Sequence, residues 1–228
     1  MKHDQSSTFS SVLREDSAPN TTHERIYRAL KEKLLFGGFL PGKAVTLRGL
    51  ADDLGVSPMP VREAVRRLIA EGALELHGNR RVSIPEMSEK NYREIMLARS
   101  LLEPELAIMA MQNADEARIS ELIAIDEEID VCLENGDVEG YMRGNYHFHF
   151  HLYSFASSHV MANLVESLWM QFGPFMRLVY GRHGTANLVD QHKQAIEALQ
   201  NRDSLALRTA ITEDVRQGMV FIGDQIQS

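Results

Sequence analysis

Leu47-Arg-Gly-Leu-Ala-Asp-Asp-Leu-Gly-Val-Ser-Pro-Met-Pro-Val-Arg-Glu-Ala-Val-Arg-Arg-Leu68 has the spacing of a helix-turn-helix. Ala51 is small where two helices must cross closely, and Gly55 supplies the turn between them. Leu50, Leu54, Val56, Val61 and Leu68 provide a shared core. Thr46 is placed to cap a helix from Leu47 to Leu54. Ser57 is placed to cap the next one, with Pro58 at its first position, where a missing N–H costs nothing. Val61, Val65, Leu68 and Ile69 form the buried stripe of that second helix, and Gly72 ends it. Met59, Arg62, Glu63 and Arg66 lie away from the stripe, with Arg62 and Arg66 one turn apart. Two guanidinium groups on an exposed helix face suit the major groove, where Arg reads guanine edges or clamps phosphates.

Working outward, residues 23–86 complete a unit. Ile26, Leu30 and Leu34, with Tyr27, predict a preceding helix from His23 to the Gly37-Gly38 stop, and Phe39-Leu-Pro-Gly42 reads as a turn. Ala73 to Ile84 reads as two short strands around Gly78-Asn79, with Gly78-Asn-Arg-Arg81 as a wing against the DNA backbone or minor groove. Residues 1–22, rich in Ser, Thr, Asp and Asn, read as a mobile N-terminal tail. Residues 87–228 hold five or six amphipathic segments. They are broken near Asn113-Ala-Asp115, Asn135-Gly-Asp137, Ser157-Ser158, Gly181 to Thr185 and Asn201-Arg-Asp203. That pattern predicts an antiparallel helical bundle, with Pro104 and Pro174 kinking or shortening the helices that contain them. The fold class is mainly α: a winged helix-turn-helix followed by an all-helical bundle.

Charge divides along the same boundary. The chain carries a formal net charge of -8. Residues 1–22 hold two basic and three acidic side chains, residues 23–86 eleven and eight, and residues 87–228 eleven and twenty-one. A phosphate-binding surface therefore belongs to the basic second segment. One cysteine, Cys132, excludes an internal disulfide and a thiolate metal cluster. No apolar run approaches the roughly 20 residues that span a bilayer, and no secretory signal opens the chain, so the expectation is a cytoplasmic protein without a membrane segment.

The helical half offers a second constellation. Asn145 and His149 lie four apart on one helical face, as do the rival pair His147 and His151. Periodicity does not choose between the pairs. Arg99 is placed either to meet a ligand carboxylate or to pair with Glu103, four residues on. Trp169, Phe172, Met176, Arg177 and Tyr180 form a one-sided stripe, which serves a cavity wall or a core or dimer contact. Arg99, Trp169 and Arg177 are the candidate effector-contacting residues.

Residues 24–86 resemble the N-terminal domain of GntR-type regulators. The resemblance rests on Leu40-Pro-Gly42, Leu47 to Leu54, and Val61-Arg-Glu-Ala64. It places Arg48, Ser57, Arg62, Arg66, His77 and Gly78 at DNA-contacting positions, and Met59, on the exposed face of the same helix as Arg62, is a further candidate contact. Pro58-Met59-Pro60 departs from the polar or basic residue common after the Ser/Thr cap, so no operator sequence carries over. Residues ~90–225 resemble the FCD-type ligand-binding domain of the FadR subfamily, through Arg99-Ser-Leu-Leu-Glu103, Asn145-Tyr-His-Phe-His149 and His192-Lys-Gln-Ala-Ile-Glu-Ala-Leu199. The resemblance implies a divalent metal held by Asn145, His149, His192 and Asp214. Asn replaces the usual Asp and Asp the last His, so the anionic ligand is exchanged between positions rather than lost. Zinc, nickel and manganese suit such nitrogen and oxygen donors.

The expectation is a homodimeric regulator, most often a repressor in this family, that binds a double-stranded DNA operator and responds to a small organic acid. Two alternatives stand beside it: a constitutive dimeric DNA binder without effector, and a metal-dependent enzyme. Against the enzyme, the chain has no nucleophile elbow, HExxH motif or phosphate loop.

Overall fold

A computed structural model of the chain describes residues 21–78, 81–183 and 190–226, and for residues 177–183, 221–222 and 224–226 the backbone alone. Helix α1 (Thr22–Leu35) begins one residue ahead of the expected start and inside the segment read as a tail. The cause is a reciprocal capping box. Thr21 Oγ1 accepts from the Glu24 N–H at 3.3 Å, and the Glu24 carboxylate accepts from the Thr21 N–H at 3.0 Å. Ile26, Leu30, Leu34 and Leu35 form its buried stripe.

Strand β1 (Val45–Thr46) leads into α2 (Leu47–Leu54), and α3 (Pro58–Ala70) follows. Thr46 Oγ1 accepts from the Gly49 N–H at 2.9 Å, as its position anticipated. Gly55 ends α2 at φ +64°, a left-handed conformation in which a side chain would be strained. Ser57 takes the extended backbone of an N-cap, yet its hydroxyl accepts no capping hydrogen bond. One physical reason is Pro60, which removes the N–H of the third helical residue.

Strands β2 (Glu75–Leu76) and β3 (Arg81–Ser83) form the expected antiparallel pair. β1 adds to the other edge of β3, with Val45 opposite Val82, giving the order β1-β3-β2. Two residues are too short to show an alternating pattern, so this strand left no trace in the sequence. Asn79 and Arg80, at the tip of the expected wing, lie outside the described residues, as do residues 1–20 of the expected tail.

The second half is helical among the described residues. α4 (Glu89–Met111), α5 (Glu116–Asn135), α6 (Val138–Ser154), α7 (His159–His183), α8 (Gln191–Gln200) and α9 (Ser204–Ile226) are divided at the breaks read from the sequence. Ser88, Asp115, Asp137 and Asp190 cap four of them through side-chain oxygens. Neither Pro104 nor Pro174 shortens its helix. Both prolines are buried, and tertiary packing on every side outweighs the cost of about 3 kcal/mol that a mid-helix proline carries. α4 packs along α9 and against α6 and α7, α5 against α6 and α8, so the site described next has helices on all sides.

Candidate metal centre and nucleic-acid interface

The outer face of α3 presents Met59, Arg62, Glu63 and Arg66, all exposed. Arg66 pairs with Glu63 at 2.8 Å. Arg62 and, on α2, Arg48 are exposed with no ion pair among the described residues. Ser57 is exposed with its hydroxyl uncommitted to a cap. His77 is already engaged: its Nε2 lies 2.7 Å from Ser83 Oγ, which donates in turn to Glu75 at 3.1 Å. Gly78 is exposed, with open space around its Cα.

Arg67, on the same helix, faces away from this surface. Its guanidinium stacks 3.7 Å above the Tyr27 ring and donates to Glu71 at 2.9 Å. Tyr27 also donates to the Glu71 carboxylate, at 2.7 Å, and burial together with that carboxylate raises the phenol's pKa. Glu71 caps the end of α3 and joins it to α7: its carbonyl accepts from Ser167 Oγ at 2.9 Å and from Gln171 Nε2 at 3.4 Å. Lys31 of α1 pairs with Glu166 at 2.8 Å, and Tyr146 of α6 donates to the same oxygen at 2.6 Å. Gly173 permits the close approach, since a Cβ there would sit 3.3 Å from the Leu35 carbonyl oxygen. Nothing in the sequence pattern marked this seam, because its residues are single polar groups without periodicity.

Between α6, α8 and α9, three candidate metal ligands come together. His149, His192 and Asp214 offer donor atoms within 4.8 Å of one another. His149 Nε2 is 2.9 Å from Asp214 Oδ2, and His192 Nε2 is 3.8 Å from Asp214 Oδ1. Both histidines are buried, and neither Nε2 has a hydrogen-bond partner. At 2.9 Å the His149 contact is close without being aligned as a hydrogen bond.

The other ring nitrogens fix both tautomers. His192 Nδ1 lies 3.2 Å from Asp126 Oδ1, and a carboxylate only accepts, so Nδ1 carries the proton. His149 Nδ1 lies 3.1 Å from Tyr153 Oη, whose own proton goes to Glu103 at 2.7 Å, so this Nδ1 donates as well. Two Nε2 lone pairs and a carboxylate therefore face one point. Burial works against both charges, yet Asp126 and Asp214 raise the His192 pKa, and His149, His192 and Arg99 bring Asp214 down to about 2. Two imidazole nitrogens and a carboxylate around one point form a donor set of the kind that divalent metals take. Zinc, nickel or manganese fits the donors, with Asp126 and Tyr153 orienting the rings behind them.

Asn145, the fourth expected ligand, lines a small pocket with Leu35, Tyr146, Trp169, Phe172 and Met176. The pocket is partly open to solvent and holds about 20 Å³, room for one water. The rival histidines are otherwise occupied: His151 pairs with Glu121 at 2.8 Å, and burial together with Arg143 lowers the His147 pKa. Three carboxylates, Asp126, Asp130 and Asp190, also cluster, but Lys193 bridges Asp130 and Asp190 at 2.7 Å to each.

Arg99 forms the ion pair with Glu103 that the spacing offered. Its Nε donates to Glu103 at 2.5 Å, with both side chains buried. The guanidinium lies 3.9 Å from the Phe172 ring centre and 4.8 Å from that of Trp169. Trp169 Nε1 donates to the same Glu103 oxygen at 3.2 Å, so one carboxylate gathers Arg99, Trp169 and Tyr153. Asp126, Tyr153 and Glu103 were missed as site residues. Only Glu103 had a sequence signal, its spacing from Arg99. The Arg177 and Tyr180 side chains lie outside the described residues.

Comparison with known proteins agrees with this architecture. Residues 22–84 match the model of the bacterial regulatory proteins, gntR family, and residues 94–217 match the FCD domain. The chain is 27% identical over 199 residues to the HTH-type transcriptional regulator McbR of Escherichia coli (strain K12), covering 86% of this chain and 90% of that protein. It is 28% identical over 194 residues to the HTH-type transcriptional regulator YdhC of Bacillus subtilis (strain 168), covering 83% and 86%. The solved structure of E. coli McbR/YncC superposes with a TM-score of 0.85 at 26% identity, over 90% of this chain and 98% of that one. These relatives are transcriptional regulators rather than enzymes. A winged helix-turn-helix joined to an FCD-type helical bundle that covers more than half of the sequence identifies the chain as a transcriptional regulator of the GntR family with an FCD effector-binding domain.

Proposed function

We propose that this chain is a cytoplasmic, homodimeric repressor of the FadR type whose helical domain, residues 87–228, binds a divalent metal and a small organic acid. The observation that carries the reading is the pair of buried, unpartnered Nε2 atoms of His149 and His192 converging on Asp214. These three residues hold the metal, and Asn145 stands beside them, one turn before His149. The bound cation supplies a positive charge and an open position that attract a carboxylate ligand. Arg99 adds a guanidinium from the neighbouring wall, and Trp169 and Arg177 belong to the same helix beside it.

In the domain of residues 23–86, Arg48, Ser57, Met59, Arg62 and Arg66 face DNA, with His77 and Gly78 at the wing. A dimer sets two such units on successive half-sites of an operator. α7 links the two activities. One face carries Trp169 and Phe172 against Arg99, and the other carries Ser167 and Gln171, which hold the end of α3 through the Glu71 carbonyl. A ligand that draws Arg99 away from Glu103 changes the packing of α7 and shifts the population of DNA-competent arrangements.

Native mass spectrometry with elemental analysis on protein purified without chelator tests the reading. The expected result is a dimer with one metal per chain, and salt-sensitive binding to the DNA upstream of its own gene. A metal content unchanged in the combined His149→Ala and His192→Ala variant would remove the metal from the account. Absence of DNA binding would remove the regulator.

A further inference from the structure

We infer that Met59 reads the C5-methyl group of a thymine in the operator's major groove, an inference that rests on the regulator reading above. The first turn of α3 is unusual in its backbone. Pro58 and Pro60 occupy the first and third helical positions, so two of the three leading N–H groups are absent. Helix N-termini ordinarily bind phosphate through those groups. Here Met59 has the one remaining N–H among them, and the turn is a poor anion cradle.

What the turn presents is an apolar side chain. Met59 is 72% exposed, compared with 59% for Leu76 and 37% for Leu40, the other exposed large apolar residues of the described DNA-binding domain. The two prolines restrict the backbone on either side of it. Met59 lies one turn before Arg62 and Glu63, in the row of side chains that faces away from the Val61, Val65 and Leu68 core. Arg62, beside it, is exposed and makes no ion pair among the described residues, leaving it available to guanine or phosphate.

The thioether has no donor and is a weak acceptor. Among the groups that the four bases display in the major groove, the thymine methyl is the apolar one. N-terminal residues of such helices reach base edges when the helix docks. Met59 thus makes affinity depend on one methyl group in each half-site, while Arg62 and Arg48 supply polar contacts around it.

The test uses the full chain and a duplex bounded by footprinting its own upstream region. Thymines are replaced one at a time by deoxyuridine, which removes the methyl and keeps the pairing, and affinity is read by fluorescence anisotropy at fixed salt. One position per half-site is expected to lose about fourfold, the effect of one buried methyl-sized group. Met59→Ala should show a similar loss on the unmodified duplex and be indifferent to deoxyuridine at that position, whereas Met59→Leu should remain sensitive. Binding that is intact but indifferent to every deoxyuridine overturns the inference and leaves the regulator standing. So does a Met59→Ala variant as sensitive at that position as the parent. No salt-sensitive binding to any upstream fragment overturns the regulator reading as well.

Discussion

His149 and His192 donate from Nδ1 to different partners and turn Nε2 to the same point. Removing a partner should therefore weaken the metal site without touching a ligand. Asp126→Ala and Tyr153→Phe are each expected to lower zinc affinity by roughly 10–100-fold, measured by chelator competition. Because His192 Nε2 must be unprotonated to bind metal, and Asp126 and Asp214 raise its pKa, affinity should also fall as pH is lowered through neutrality, with proton release on binding. Glu103 answers to a different physics. It is buried and gathers Arg99, Trp169 and Tyr153, so Glu103→Ala leaves the Arg99 cation uncompensated. The expected loss is about 3–5 kcal/mol, read from urea unfolding, whereas replacing either member of an exposed pair such as Arg66 and Glu63 should cost under about 1 kcal/mol.

At the scale of elements, α7 carries the most information per residue. Gly173 lets α1 close against it, and Gly173→Ala places a Cβ against the Leu35 backbone, which has no flexible end to move aside. That variant should lose about 1–3 kcal/mol of stability. It should also expose the end of α1 to faster amide hydrogen exchange. The sequence made the helices themselves legible, because stripes such as Ile26, Leu30 and Leu34 and caps such as Thr46, Asp115 and Asp137 act over one or two turns. The same locality hid other features. β1 is two residues long, and the Glu71 carbonyl meets Ser167 across 96 residues of chain. The metal trio was visible only through family resemblance, since His149, His192 and Asp214 sit on three helices whose packing no periodicity specifies.

At the scale of the molecule, a basic segment of residues 23–86 is carried by an acidic helical domain. DNA affinity should fall steeply with salt, and Arg48→Ala should reduce the slope of log K against log salt by about one if Arg48 meets a phosphate. Arg62→Ala should cost more if it reads a base, about 1–3 kcal/mol, and should relax preference at one position of the operator. The burial of Arg99 has a consequence for time rather than affinity. Arg99 is almost wholly buried, paired with Glu103 and covered by the Phe172 and Trp169 rings. An organic acid that pairs with Arg99 must wait for the side chains packed around that guanidinium to part. Its observed association rate should then level off at high concentration, at the frequency of opening, instead of rising in proportion to ligand. Cells would read a sustained rise in such an acid and filter out a brief one.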